Sequence, residues 1–84
     1  MSTVRIRYFA SLREALGPGE SLELPPGQTV GQLRDRLLAR GGRHAEALGR
    51  ERAVRCALDQ ALVDESALVG EGAEVAFFPP VTGG

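Results

Sequence analysis

Apolar and polar residues alternate in several short stretches of the chain, which is the pattern of half-buried β-strands. In the first stretch, residues 4–9, Val4, Ile6 and Tyr8 share one face, whereas the residues between them share the other. Shorter runs of the same kind predict further strands at residues 21–24, 53–58, 61–63 and 74–78. The chain is therefore rich in short strands.

A longer apolar pattern with helical spacing predicts the main helix. Thr29 and Gln32 have the spacing of a capping box, and Gly41 is a typical helix stop. The apolar stripe of this helix consists of Val30, Leu33, Leu37 and Leu38. We interpret Arg34 and the neighbouring charged residues as the solvated face of the helix, balanced by acidic residues.

Two shorter segments have weaker helical signals. Ser11 and Glu14 have capping-box spacing, which predicts a short helix through Leu16. Residues 44–48 are compatible with a further turn or two, with His44 in solvent at its start. We read Asp64-Glu65 as a solvated turn.

The order of these elements is strand, short helix, strand, long helix and then three strands. A small mixed sheet with one main helix packed across a face satisfies this order, which is an α+β architecture. At 84 residues the chain forms one domain.

Charge and composition exclude several functions. The formal charge of −1 gives no drive towards nucleic acid or an anionic membrane. No apolar run approaches the ~18 residues of a membrane span, and the first residues lack a signal-peptide pattern. We therefore expect a cytoplasmic protein that binds neither nucleic acid nor membrane.

The cysteine, histidine and basic residues exclude further kinds of chemistry. A single cysteine, Cys56, rules out an intramolecular disulfide, and its inward strand position predicts a core residue. With one histidine as well, we expect no metal site. All ten basic residues are arginine. Apart from its α-amino group, the chain therefore has no amine that could accept an isopeptide bond.

The segment after the last strand carries the candidate chemistry. Pro79 and Pro80 end the strand and favour a stiff polyproline II stub. Gly83 and Gly84 follow and have no Cβ, so this end can enter a narrow slot. From Pro79 onward the reach is at most roughly 20 Å. We expect residues 79–84, the C-terminal tail, to present the carboxylate of Gly84 to other proteins.

The closing run Glu74-Val75-Ala76-Phe77-Phe78-Pro79-Pro80-Val81-Thr82-Gly83-Gly84 resembles the C-terminus of the small, sulfur-carrying subunits of molybdopterin synthase. Comparable segments extend the resemblance over the whole chain, although its specificity lies in these last residues. The resemblance implies a β-grasp, or ubiquitin-like, domain at residues 1–78, followed by a flexible Gly-Gly tail at residues 79–84.

The resemblance also implies a function. Gly84 would be adenylated by an activating enzyme that uses ATP and Mg, and Gly83 would act as the flexible thread behind it. A persulfide protein would supply sulfur to form a thiocarboxylate. The thiocarboxylate would donate sulfur to cyclic pyranopterin monophosphate in the active site of the large subunit. The small chain would bind no cofactor stably, and would be a non-catalytic subunit of a transferase.

Strand parity predicts where those partners bind. Phe9 and Phe78 fall on the face opposite the core residues, and the family counterpart of Leu62 belongs to the same surface. An exposed apolar patch of this kind marks an interface. We expect one surface to serve both enzymes in turn. It would comprise Phe9, Leu62 and Phe78, the rim arginines Arg5, Arg7 and Arg55, and the tail residues Pro79, Pro80, Val81 and Thr82.

The sequence is also compatible with other functions. A sulfur carrier for thiamine or for tRNA thiolation would use the same tail. A ubiquitin-like tag would instead be joined through Gly84 to lysines of other proteins, and a pure binding module would not need Gly84. The Phe-Phe-Pro-Pro-Val-Thr-Gly-Gly ending favours the molybdopterin pathway.

Overall fold

The computed structural model describes residues 2–80, so the predictions on Val81, Thr82, Gly83 and Gly84 lie outside the described residues. The elements are β1 (Ser2–Tyr8), α1 (Ala10–Leu16), β2 (Gly19–Leu24), α2 (Val30–Leu38), α3 (Gly42–Leu48), β3 (Arg55–Leu58), β4 (Ala61–Val63) and β5 (Glu74–Phe78). Every strand predicted from alternation is present.

The five strands form one mixed sheet in the order β2-β1-β5-β3-β4. The adjacent strands β1 and β5 are parallel, and Tyr8 lies opposite Phe77 at their carboxyl ends. The outer pairs are antiparallel. The α+β mixed sheet predicted from the sequence is confirmed. Because β5 is the central strand, the C-terminal tail starts in the middle of the sheet, at the carboxyl end of β5.

The core lies between the sheet and α2. Val30, Leu33 and Leu37 of α2 are fully buried, in the same cluster as the inward residues of β1 and β5. Those strand residues are Val4, Ile6, Tyr8, Val75 and Phe77. We call this side of the sheet the inner face, and the opposite side the outer face.

The capping box of α2 is present as predicted. The Thr29 hydroxyl accepts a hydrogen bond from the Gln32 amide at 3.1 Å, and the Gln32 side chain accepts one from the Thr29 amide at 2.8 Å. The helix ends at Leu38, slightly before the predicted stop at Gly41.

The predicted cap of α1 is wrong. The helix begins at Ala10 with Phe9 at the cap position, and no side chain caps it, so Ser11 lies inside the first turn. The Phe9 amide donates to the Phe77 carbonyl at 3.1 Å, which holds the Phe9 backbone against β5. The helix must therefore start immediately after it, before Ser11 can act as a cap.

The interpretation of Arg34 as a solvated residue is also wrong. Its side chain is buried, and its guanidinium donates to the carbonyls of Leu48 at 2.8 Å and Gly49 at 2.7 Å. It also pairs with Glu65 at 2.6 Å, so Glu65 is not a free solvated residue. Burial opposes ionisation of Glu65, but hydrogen bonds from Arg50 and Arg34 outweigh it and lower its pKa.

His44 is not in open solvent either. It lies in α3, and its Nε2 is 3.0 Å from the Glu20 carboxylate of β2, which also pairs with Arg40 and accepts from Tyr8 at 2.9 Å. Burial opposes the charge on Glu20, but the hydrogen bonds from His44, Arg40 and Tyr8 lower its pKa. Burial and the bond to Glu20 raise the pKa of Tyr8 well above its ordinary value. This cluster ties α3 and the segment that follows α2 to the sheet edge.

Between residues 2 and 80, no helix is both long and apolar enough to cross a bilayer.

Candidate functional site

The pairing register assembles a continuous row of residues across the outer face. Arg7 lies opposite Ala76, Ala76 opposite Ala57, and Ala57 opposite Leu62. Successive side chains of a strand point to opposite faces, so this row faces away from the core residues Ile6 and Phe77. Its two central positions are alanines, which leave a shallow floor.

Large apolar side chains stand beside this floor. Phe9 is 41% exposed and Leu62 is 68% exposed, while Phe78 is half-buried. Phe78 lies opposite Arg55 in the register. Sequence parity placed Phe9 and Phe78 on this face, and the structure puts them there.

A depression of about 710 Å³ occupies the outer face next to the start of the tail. Its lining consists of Arg7, Phe9, Ala10, Ala57, Gln60, Glu74, Ala76, Phe78, Pro79 and Pro80. Aromatic rings and prolines make its walls apolar, with few charged groups at the margin. Such a shape fits an inserted apolar side chain of another protein.

The margin holds one ion pair and one cation–π contact. The Arg7 guanidinium is 3.9 Å from the Glu74 carboxylate and lies 5.6 Å from the centroid of the Phe9 ring. These contacts restrict Arg7 and Phe9 within the free chain. A side chain that is already restricted loses less conformational freedom when a partner binds.

The predicted surface is divided into two adjacent parts. Leu62 and Arg55 line a neighbouring depression of about 560 Å³, with Cys56, Asp64 and Glu65 among its other residues. Arg5 lies on the same outer face, opposite Glu74, one row further from the tail. The structure thus brings Phe9, Phe78 and the prolines together and places Leu62 beside them.

The prediction from the sequence did not include five residues that line the depression, which are Ala10, Ala57, Gln60, Glu74 and Ala76. Two of them have unusual backbone conformations. Ala10 has φ 53° and Gln60 has φ 70°, a left-handed conformation that disfavours residues other than glycine. The Asp59-Gln60 turn was predicted from its residue types, so proximity of the turn to β5 was the missing information. Ala10 carries no sequence signal that points to this surface.

Pro79 lies between the outer face and a second hollow. Pro79 also lines a cleft of about 570 Å³ between α1 and α3, together with Arg43 and Arg52. The start of the tail therefore stands between an apolar depression and a more polar cleft.

Cys56 is a core residue, as its strand position predicted. It is 4% exposed, and its thiol donates to the Val63 carbonyl at 3.3 Å. Burial raises the pKa of the Cys56 thiol, and the nearby Glu65 and Asp64 carboxylates add to the effect. A buried neutral thiol is a poor nucleophile. Over residues 2–80, no group of three or more histidine, cysteine or acidic side chains is placed to hold a metal ion.

Known proteins resemble the chain over almost all of its length. The sequence model of the ThiS family matches residues 6–84. A molybdopterin synthase sulfur carrier subunit of Escherichia coli is 37% identical over 96% of this chain and 99% of its own length. Its counterpart in Mycobacterium tuberculosis is 37% identical over the whole of both chains.

Solved structures agree on the fold. A putative molybdopterin converting factor, subunit 1, from Pyrococcus furiosus is 27% identical and superposes with a TM-score of 0.79 over 96% of this chain and 100% of its own. The ubiquitin of Caldiarchaeum subterraneum gives 0.63 at 18% identity, over 99% and 98%. A complex of subunits 1 and 2 of molybdopterin-converting factor from Helicobacter pylori contains a chain that gives 0.69 at 24% identity, over 98% and 99%.

These likenesses confirm the predicted β-grasp fold and the predicted resemblance to molybdopterin synthase sulfur carriers. Because the family match runs from residue 6 to residue 84 and the curated relatives align over nearly their full length, the chain belongs to the ThiS family.

Proposed function

We propose that this chain is the sulfur carrier subunit of a molybdopterin synthase. The observation that carries the proposal is its 37% identity to two subunits of that name across almost the entire length of each. The apolar outer face beside Pro79 and Pro80 supports it, because a carrier must be held by the enzymes that load and unload its tail.

Gly84 carries the sulfur in this proposal. A free carboxylate is a poor electrophile. An activating enzyme therefore uses ATP, with Mg, to join the carboxylate to AMP, and pyrophosphate is released. A persulfide sulfur then attacks the acyl carbon and AMP leaves. A thiol reduces the resulting acyl disulfide, which leaves a thiocarboxylate on Gly84. Glycine offers the least hindered acyl group for these steps.

The thiocarboxylate then acts as a nucleophile towards cyclic pyranopterin monophosphate in the large subunit. The small chain supplies the sulfur, and the partner supplies orientation and charge stabilisation. The Helicobacter pylori structure is a complex of subunits 1 and 2, which supports a large-subunit partner here. The activating enzyme and the persulfide donor remain predictions, as does the cytoplasmic location.

The outer face is the proposed docking surface for both the activating enzyme and the large subunit. Exposing a phenylalanine such as Phe9 forgoes about 1.5–3 kcal/mol of burial, which a partner recovers when it covers the ring. Arg5 and Arg55 are then available for acidic groups of the partner, whereas Arg7 already contacts Glu74.

Substitution of Phe78 tests this surface. We expect Phe78→Ala to weaken binding to each enzyme about 10- to 100-fold, as for a central interface aromatic, measured by calorimetry. Leu68→Ala is the matched control: Leu68 is 66% exposed but lies opposite Thr29, next to the start of α2. Unchanged affinity of Phe78→Ala for both enzymes would refute the shared surface.

Reconstitution tests the function itself. Thiocarboxylated chain, large subunit and pterin precursor should yield the dithiolene product. Chains that lack Gly84, or carry one residue after it, should give none. If the shortened chain supports product formation equally well, the tail has no role and the proposal fails.

Intact mass of protein from the native host separates the alternatives. A sulfur carrier for molybdopterin, thiamine or tRNA shows one oxygen replaced by sulfur, and reconstitution with each acceptor distinguishes among them. A ubiquitin-like tag appears as adducts of larger proteins. A pure binding module shows only the unmodified chain.

A further inference from the structure

Four arginines lie around the point at which the C-terminal tail leaves the domain, interspersed with Glu74 in the outer depression and with Glu14 and Glu46 in the cleft. On the outer side, one guanidinium lines the depression that contains Pro79 and Pro80, and another belongs to the residue opposite Phe78. On the helical side, two more line the cleft that contains Pro79. These four residues are Arg7, Arg55, Arg43 and Arg52, and all four are exposed.

The basic side chains of this protein are all of one type. All ten basic residues in the 84-residue sequence are arginine. A guanidinium stays protonated in proteins, so it binds carboxylates and phosphates without acting as a nucleophile. A lysine amine with a pKa near 10.4 is partly neutral at mildly alkaline pH, and its neutral form attacks activated acyl groups.

We propose that the arginines around the start of the tail protect the activated acyl group of Gly84 from capture by the chain's own surface. The idea rests on the proposed function, in which Gly84 passes through an acyl-adenylate. Arg55 keeps its charge available to acidic groups of a partner, and none of the four arginines offers the amine that would consume the intermediate.

The geometry makes self-capture a real hazard for a lysine at these positions. The segment from Pro79 to Gly84 spans at most about 20 Å, and the Arg52 side chain shares a cleft with Pro79. Groups joined by a short linker react at effective concentrations of about millimolar. A lysine at this site would therefore compete directly with an incoming sulfur donor.

The reaction that arginine prevents is a simple acyl transfer. A neutral lysine amine attacks the Gly84 carbonyl carbon, a C–N bond forms, and the bond to the leaving group breaks. The leaving group departs with the electron pair, and the amine proton passes to solvent. The product is an internal amide whose mass is one water below that of the free acid. A chain that has formed this amide can no longer carry sulfur.

A chemically activated chain tests this without any partner enzyme. The full chain is released from an intein as its 2-mercaptoethanesulfonate thioester at Gly84, and incubated at mildly alkaline pH. The variants are Arg52→Lys and Arg55→Lys, beside the tail. Arg52 lines the cleft that contains Pro79, and Arg55 lies opposite Phe78. The control is Arg36→Lys, because Arg36 is an exposed residue of α2 that neither lines a hollow with Pro79 nor pairs with β5. Melting temperatures confirm that each variant is folded.

We expect internal amide from Arg52→Lys or Arg55→Lys at roughly 100-fold the yield of Arg36→Lys at micromolar protein, because only the former benefit from proximity. The yield should not depend on protein concentration, and peptide mapping should join Gly84 to the new lysine. Hydrolysis to free acid alone in all three variants, or equal amide in all three, would overturn the inference. Either result leaves the reconstitution test of the proposed function unaffected.

Discussion

Phe77 and Phe78 are neighbours in β5 with identical side chains, yet they lie in opposite environments. Phe77 is fully buried on the inner face and stacks on Tyr8, with ring centroids 6.5 Å apart. Phe78 is half-buried on the outer face and lines the depression next to the tail. The same chemical group therefore stabilises the domain at one position and is available to a partner at the next.

The two faces of the sheet extend this contrast. The inner face is covered by α2 and carries fully buried apolar residues. The outer face keeps Phe9 and Leu62 exposed and carries arginines. Stability should therefore respond mainly to changes on the inner side, and partner binding mainly to changes on the outer side.

The largest effect should come from Phe77→Ala. Truncation of a fully buried phenylalanine costs about 3–5 kcal/mol, a large part of the roughly 4–13 kcal/mol expected for a domain of this size. Denaturant unfolding should show a much lower midpoint or an unfolded chain. Phe78→Ala is the matched control and should lose only about 1 kcal/mol, since its ring is partly exposed. Equal losses would abolish the distinction between the two faces.

A somewhat smaller effect is expected at Arg34, the charged residue of the inner side. Arg34→Met leaves the Leu48 and Gly49 carbonyls without their donor, which should cost about 2–4 kcal/mol in the free energy of unfolding. Glu65 retains Arg50 as a partner, so the loss stays below that of an orphaned buried charge.

Arg50→Met provides the comparison for that measurement. Arg50 pairs with Asp35 and Glu65 at a largely exposed position, so its loss should cost no more than about 1 kcal/mol. A similar cost for both arginines would mean that burial of Arg34 contributes little.

The contrast between faces could be predicted from sequence more readily than the polar contacts could. Period-two alternation placed Phe77 inward and Phe78 outward, and the Thr29–Gln32 box fixed the start of α2, because both signals are local. Arg34 was misplaced because its partners at Leu48, Gly49 and Glu65 are distant in sequence.

The candidate site was predictable only in part for the same reason. Phe9 and Phe78 followed from strand parity, whereas Ala10 and Gln60 reach the depression through the folding of separate segments onto one face. The Ser11 cap failed because a long-range bond from Phe9 to Phe77 decides where α1 begins. Local patterns therefore identify faces, and tertiary pairing decides which residues share a pocket.

Acid should lower the free energy of unfolding through Glu20 at the sheet edge, by less than the substitutions at Phe77 and Arg34 do. Its lowered pKa, relative to an ordinary value of 4.5, means that the folded state favours the carboxylate. The resulting stability is present above about pH 4.5 and is lost as pH falls through the folded-state pKa. Glu20→Gln should lower stability at pH 7, and its difference from the unsubstituted chain should shrink by pH 3. Denaturant unfolding at the two pH values measures this. A constant difference would show that the charge of Glu20 does not matter.

The smallest expected effect concerns the outer face and should be a gain. Asp59 and Gln60 form a two-residue turn with φ values of 47° and 70°, a conformation that favours glycine at the second position. Gln60→Gly should raise the free energy of unfolding by about 0.5–1 kcal/mol, measured as a higher denaturation midpoint.

Gly72→Ala is the control in the opposite direction. Gly72 has φ 71° and open space for a Cβ, so this substitution should destabilise the domain through backbone strain alone. Because Gln60 lines the outer depression, partner affinity of Gln60→Gly shows whether its amide contributes to docking. A destabilised Gln60→Gly would mean that the Gln60 side chain supports the turn more than its backbone strains it.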